Sequence, residues 1–128
     1  MTVYNALAKV VVLCGKEFIV RSENESKKLT LFNKEKNTIS DIYADHASVL
    51  TTSFYAEQGE GASHFCVIQG NYDRGSVTTN TLQLFKIENN GRVKIQCGGE
   101  RFSVSENKGK TVNVYNYDAQ KNITLTRV

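Results

Sequence analysis

Long apolar runs are missing from this chain. The longest, Val10 to Leu13 with Ala8 nearby, falls far short of the roughly 18 to 20 residues needed to cross a bilayer. A transmembrane role is therefore excluded. The first nine residues, Met1 to Lys9, contain no basic segment followed by a sustained apolar one, so no secretory signal is expected. Cysteine is scarce and odd in number: Cys14, Cys66 and Cys97 include no Cys-x-x-Cys pair. That excludes a disulfide framework and a close-spaced zinc site, although spacing leaves open whether any two of the three are joined. A reduced, cytoplasmic setting is the simpler reading. The sequons Asn24-Glu25-Ser26 and Asn122-Ile123-Thr124 then carry no meaning.

Histidine is almost absent, and acid-base or nucleophilic catalysis needs a base within hydrogen-bond reach of the group it activates. His46 follows Asp45 on a predicted loop and His64 precedes Phe65 at a predicted strand start; neither belongs to a triad signature or a nucleophile elbow. Gly109-Lys110 lacks the upstream glycine and the strand-to-helix setting of a phosphate-cradling loop. These absences predict a protein that is not an enzyme, with no catalytic residue, no metal ligand and no cofactor.

What remains is an ordinary globular composition: 128 residues, 40% hydrophobic, 23% charged and without proline. A chain of this size sustains one core, whereas two would each be marginal, so residues 1–128 are expected to form a single domain. The net charge of +3 comes from 16 basic and 13 acidic residues mixed along the whole length, which gives no footing for nucleic acid. Lys27-Lys28, Lys34 with Lys36, and Lys108 with Lys110 sit beside predicted turns, where lysines solubilise edge strands and loops.

Turn signals recur about every ten residues, and short runs rich in Val, Ile, Thr, Phe and Tyr lie between them, the pattern of strands. Val93 to Cys97, Phe102 to Val104, Val112 to Asn116 and Ile123 to Val128 alternate apolar with polar. The clearest predicted hairpin is Leu84 to Ile95, with Asn90-Gly91 supplying the two positive-φ positions of a type I′ turn. Asn71 to Gly75 reads as a second turn, Glu57 to Ala62 as a flexible glycine loop, and Ser40 to His46 as one short helical turn.

A stretch beginning Lys9-Val-Val-Val-Leu-Cys-Gly-Lys-Glu returns as Arg92-Val-Lys-Ile-Gln-Cys-Gly-Gly-Glu, with Cys97 standing 83 residues after Cys14. The gapless match continues through Ser22/Ser105, Glu23/Glu106, Asn24/Asn107, Lys27/Lys110 and Asn33/Asn116. Chance would supply on the order of one or two identities over this stretch. Phe18 and Val20 match Phe102 and Val104 only after a one-residue slip, which flips strand faces and which a bulge near Gly98-Gly99 would absorb. A separation near twice 42 in a chain near three times 42 predicts a worn middle copy: Val49 to Phe54, Phe65 to Val67, Val77 to Thr79 and Leu84 to Ile87. The expected architecture is all-β, a β-trefoil of three four-strand repeats at about 9–47, 48–91 and 92–128, with a β-sandwich or jelly roll as the alternative.

The segment Phe85-Lys-Ile-Glu-Asn-Asn-Gly-Arg-Val-Lys-Ile95 leading to Glu100-Arg-Phe-Ser-Val104 resembles the fascin and hisactophilin branch of the β-trefoils. That resemblance implies a non-catalytic binding module whose partner is actin or another cytoskeletal filament. Histidine richness is lacking, so it implies no pH-sensing role, and without tryptophan there is no Gln-x-Trp sugar-binding signature. The expected partner loop is Asn71, Tyr72, Asp73 and Arg74, which mixes an aromatic with both charges between two strands. Tyr115, whose repeat counterpart is Phe32, is expected to pack. The other readings are a self-assembling viral or appendage subunit in which Met1 to Ala8 connects copies, and a carbohydrate-binding trefoil. No nucleic-acid or membrane partner is expected.

Overall fold

The computed structural model describes residues 7–22, 28–43, 52–69, 83–96, 101–104, 110–116 and 119–128. Eleven strands and no helix occur among them: β1 Leu7–Leu13, β2 Lys16–Ser22, β3 Lys28–Asn33, β4 Thr38–Tyr43, β5 Thr52–Glu57, β6 His64–Gln69, β7 Gln83–Ile87, β8 Val93–Ile95, β9 Arg101–Val104, β10 Thr111–Asn116 and β11 Lys121–Arg127. The all-β expectation holds. All pairings are antiparallel, in a four-stranded sheet of order β1-β2-β3-β4 and a seven-stranded sheet of order β8-β7-β6-β5-β11-β10-β9. Neither ladder closes into a barrel among the described residues. Val77 to Thr79, the third strand expected of the middle copy, lies outside them, and β6 pairs directly with β7.

Two clusters of buried side chains place the layers. The inward faces of β1–β4 (Val11, Leu13, Phe18, Val20, Leu29, Leu31, Ile42) meet one face of β5–β7 through Phe54, Ala56, Phe65, Val67, Phe85 and Ile87. The opposite face of β5–β7, with Tyr55, Cys66, Ile68 and Leu84, joins Val112, Val114, Ile123 and Leu125 of β10 and β11. Because β5, β11 and β10 are neighbours in one sheet, that sheet curls until its β10–β11 end lies over β5–β7. Strands β5 to β7 are thus covered on both sides, which is why Phe65-Cys66-Val67-Ile68 is buried without alternation while the outer strands alternate. Phe65 and Phe85 stack at the centre with ring centroids 5.3 Å apart.

Turn chemistry departs from expectation at one place and is repeated at another. The β7–β8 hairpin exists, yet only Gly91 has positive φ. Glu88 N–H donates to the Arg92 carbonyl at 2.8 Å and Gly91 N–H to the Glu88 carbonyl at 2.9 Å, so the connection is a three-residue turn ending in a left-handed glycine, not type I′. The tight two-residue turn is instead Cys14-Gly15, with φ of 54° and 75°, between paired Leu13 and Lys16. Ser40 to Tyr43, read from sequence as part of a helical turn, belongs to β4; its alternating buried residues Ser40 and Ile42 follow period 2.

Each partner pair of β3 and β4, from Lys28↔Tyr43 to Asn33↔Thr38, has a counterpart 83 residues on in β10 and β11, from Thr111↔Thr126 to Asn116↔Lys121. The left-handed residues that close the two turns, Asn37 at 56° and Gln120 at 54°, stand at the same spacing. One strand earlier the register slips: Leu31 pairs with Val20, but Val114 pairs with Phe102. Phe102 therefore takes the place of Val20, and Val104 that of Ser22, which corrects the expected match of Phe102 with Phe18 and of Val104 with Val20: the slip runs the other way. The extra residue sits in the β9–β10 connection, which is one longer than the β2–β3 connection, whereas Gly98 and Gly99 lie outside the described residues.

Candidate interaction surface

In an antiparallel meander one strand's outward residues stand beside those of the next, so register alone decides which surface side chains become neighbours. Across the outer face of the four-stranded sheet, Val10 pairs with Ile19, Ile19 with Phe32 and Phe32 with Ile39. Four apolar side chains thus form a row from one sheet edge to the other. Val10 and Ile39 are 57% and 55% exposed, while Ile19 and Phe32 between them are half-buried. Val12, also exposed, stands diagonally beyond Val10.

Polar rows bound this stripe. On one side Glu17, opposite Val12, pairs with Lys34 at 3.6 Å. On the other, Arg21, Thr30 and Asp41 are successive partners, and the Thr30 hydroxyl donates to Asp41 Oδ1 at 3.2 Å. A contiguous apolar row framed by charge has the composition of an interface core with a polar rim. At the corresponding positions of β10 and β11 the surface is polar and uncharged: Thr111↔Thr126, Asn113↔Thr124 and Tyr115↔Asn122, with the Thr124 hydroxyl donating to Asn113 Oδ1 at 3.0 Å. Tyr115, like its counterpart Phe32, stands half-buried on an outer face and belongs to neither buried cluster. Its strand neighbours Val112 and Val114 fill the core instead.

His64 opens β6, as its sequence position predicts. Its Nδ1 lies 3.3 Å from Glu57 Oε1 and 3.4 Å from the Ser63 hydroxyl. A serine–histidine–carboxylate relay needs the two partners on opposite ring nitrogens; here both approach the same one. Glu57 Oε1 also accepts the Ser63 N–H at 2.9 Å and the His64 N–H at 3.4 Å, so the trio clamps the glycine loop at its base. Burial alone would raise the Glu57 carboxyl, but the Ser63 N–H and the His64 ring together hold it below the ordinary carboxylate range.

Cys14 and Cys66 are free thiols. Burial, aided by the Glu57 charge, pushes the Cys14 thiol up to about 11, and its Sγ donates to the His64 carbonyl at 3.4 Å. Complete burial pushes Cys66 up further. Among the described residues no group of three or more His, Cys, Asp and Glu could hold a metal ion, and no helix is long and apolar enough to cross a membrane. The expected contact loop Asn71, Tyr72, Asp73 and Arg74 lies outside the described residues, as do His46 and Cys97. Sequence reasoning missed the Val10–Ile19–Phe32–Ile39 row because its members are scattered over thirty positions and meet only through three registers. The one available signal was the pair of outward-phase valines at 10 and 12. No family model, curated protein or solved structure matches this chain.

Proposed function

We propose that the chain is a non-catalytic interaction module that binds a protein partner through the outer face of its four-stranded sheet. The observation that carries this reading is the apolar row Val10, Ile19, Phe32 and Ile39, bounded by Glu17 with Lys34 on one side and Arg21 with Asp41 on the other. Burying such a row repays about 25 cal/mol per Å² of apolar area, and a flat face lined by strands suits a protein surface better than a small ligand, which prefers a concave pocket.

The scaffold reading is a β-trefoil-type duplication. It is supported by the register and the left-handed turn residue that recur at the 83-residue spacing of the Cys14 and Cys97 segments. The resemblance to the fascin and hisactophilin branch makes a cytoskeletal filament, with a cytoplasmic setting, the first partner to test. Purified actin filaments are sedimented with the wild-type chain and with Phe32→Ser/Ile39→Ser. Wild-type co-sedimentation that falls at least about tenfold in affinity, for the loss of two apolar anchors, supports the reading if the melting temperature is unchanged. Equal binding by both proteins removes the row, and Tyr72→Ala/Arg74→Ala then tests the loop.

A second reading rests on the polar face of β10 and β11. Its hydroxyls and amides around Tyr115 match the mixed stacking and hydrogen bonding that sugars demand. A glycan array with the wild-type chain is the check, and a blank array dismisses it.

A further inference from the structure

Among the described residues, strand β1 is the long edge strand left without cover. The edge strands β8 and β9 have three and four residues, whereas β1 has seven. At the opposite side of the four-stranded sheet, β4 is covered: Arg92 donates from Nη1 to the Ile39 carbonyl at 3.2 Å and Val93 N–H to the Ser40 hydroxyl at 2.8 Å. The two-residue turn at Cys14-Gly15 makes Leu13↔Lys16 a hydrogen-bonded pair, and the alternation of an antiparallel ladder then turns the main-chain N–H and C=O groups of Val12, Val10 and Ala8 away from β2. Among the described residues none of these groups has a partner. Edge strands are normally blunted by charged side chains turned outward or inward, a proline or a bulge; the outward side chains here are Ala8, Val10 and Val12, and the one inward charge, Lys9, is engaged within its own chain by the Thr52 carbonyl and the Phe54 ring.

We propose that β1 pairs antiparallel with β1 of a second copy about a twofold axis at Val10, joining the two four-stranded sheets into one of eight strands. The segment is self-complementary in that register. Val10 faces Val10 of the other copy, Ala8 faces Val12, and all three outward positions supply ladder groups. On the inner face Lys9 stands opposite Val11, and its ammonium is already tied down, 3.4 Å from the Thr52 carbonyl and 5.4 Å from the Phe54 ring centre, so no charge opposes another at the axis. The apolar row of each sheet becomes continuous with its mate through the paired Val10 residues. An isologous contact of this kind uses up the edge and closes as a dimer. It shares only Val10 with the proposed partner face: it needs the edge of β1 and leaves the outer faces of β2, β3 and β4 free.

Sedimentation equilibrium of the wild-type chain into the high-micromolar range should show a monomer–dimer equilibrium. Val10→Lys and Val10→Glu each place like charges directly opposite at the axis, and each alone should raise the dimer dissociation constant about tenfold or more, while their equimolar mixture should restore wild-type association. Ala8→Glu/Val12→Lys in one chain sets opposite charges across both outer pairs and should tighten the dimer; it also serves if a Val10 variant fails to fold. Phe32→Ser, which leaves the edge intact, should not change association. A wild-type chain that stays monomeric, open-ended growth in place of a dimer, Val10 variants that associate normally, or a mixture that does not rescue them would each overturn the proposal.

Discussion

The Asn33 amide donates from Nδ2 to the Gly91 carbonyl at 3.3 Å, and both residues are buried. Its Oδ1 accepts the Lys36 N–H at 2.9 Å, so one side chain holds the β3–β4 turn and pins it to the β7–β8 turn. Asn33→Ala leaves a buried carbonyl and an amide without partners and is expected to cost about 2 to 3 kcal/mol. Asn33→Asp keeps the acceptor for Lys36 but sets a carboxylate against the Gly91 carbonyl, and it should be no better than alanine. Urea midpoints with unchanged slope would measure both; an aspartate variant as stable as wild type would show that the Gly91 bond contributes nothing.

Two glycines with positive φ should respond differently to substitution. A Cβ on Gly91 would collide with Lys36 Cβ and lie 2.9 Å from Thr38 Oγ1, whereas one on Gly15 meets nothing within 4 Å. Gly15→Ala should cost about 1 to 2 kcal/mol, the left-handed penalty alone. Gly91→Ala adds overpacking of about 1 to 3 kcal/mol, so its melting point should fall clearly further.

Glu57 should make stability depend on acidity. Its folded pKa is depressed from 4.5, so its contribution is present above the unfolded value and is lost as pH falls through the folded one. Glu57→Gln should therefore be less stable than wild type at neutral pH, with the gap narrowing below 4.5. Chemical denaturation across that range is the measurement, and a gap that widened on acidification would contradict the assignment.

The Cys14 thiol has the opposite sign. Its folded pKa is raised from 9.0 to about 11, so the stabilisation of the thiol form is complete below 9.0 and is lost as pH rises through about 11. In the native protein at about pH 8, Cys14 should alkylate more slowly than in urea, because the thiolate is the nucleophile. Peptide mass spectrometry after brief iodoacetamide treatment resolves this site from the others; equal rates in the two states would refute it.

The positions and alternation of β10 and β11 and the start of β6 were readable from the residues themselves, because β10 and β11 bury Val112, Val114, Ile123 and Leu125 at period 2 and because the glycine loop before His64 breaks the chain locally; β4, read as a helical turn, was not. The recurrence of the Cys14 and Cys97 segments was likewise readable as a spacing. What the residues alone could not determine was pairing over long separations: that β11 lies against β5, that β5 to β7 are covered on both faces, and that Val10, Ile19, Phe32 and Ile39 line up. The Asn90-Gly91 turn shows why. Local propensity favoured a tight type I′ turn, but Lys36 and Thr38 crowd Gly91 and Asn33 holds its carbonyl, so a neighbouring hairpin from elsewhere in the chain decided its form. Propensity acts within a few residues, while register, burial and the surface row depend on contacts that exist only after the sheets have come together.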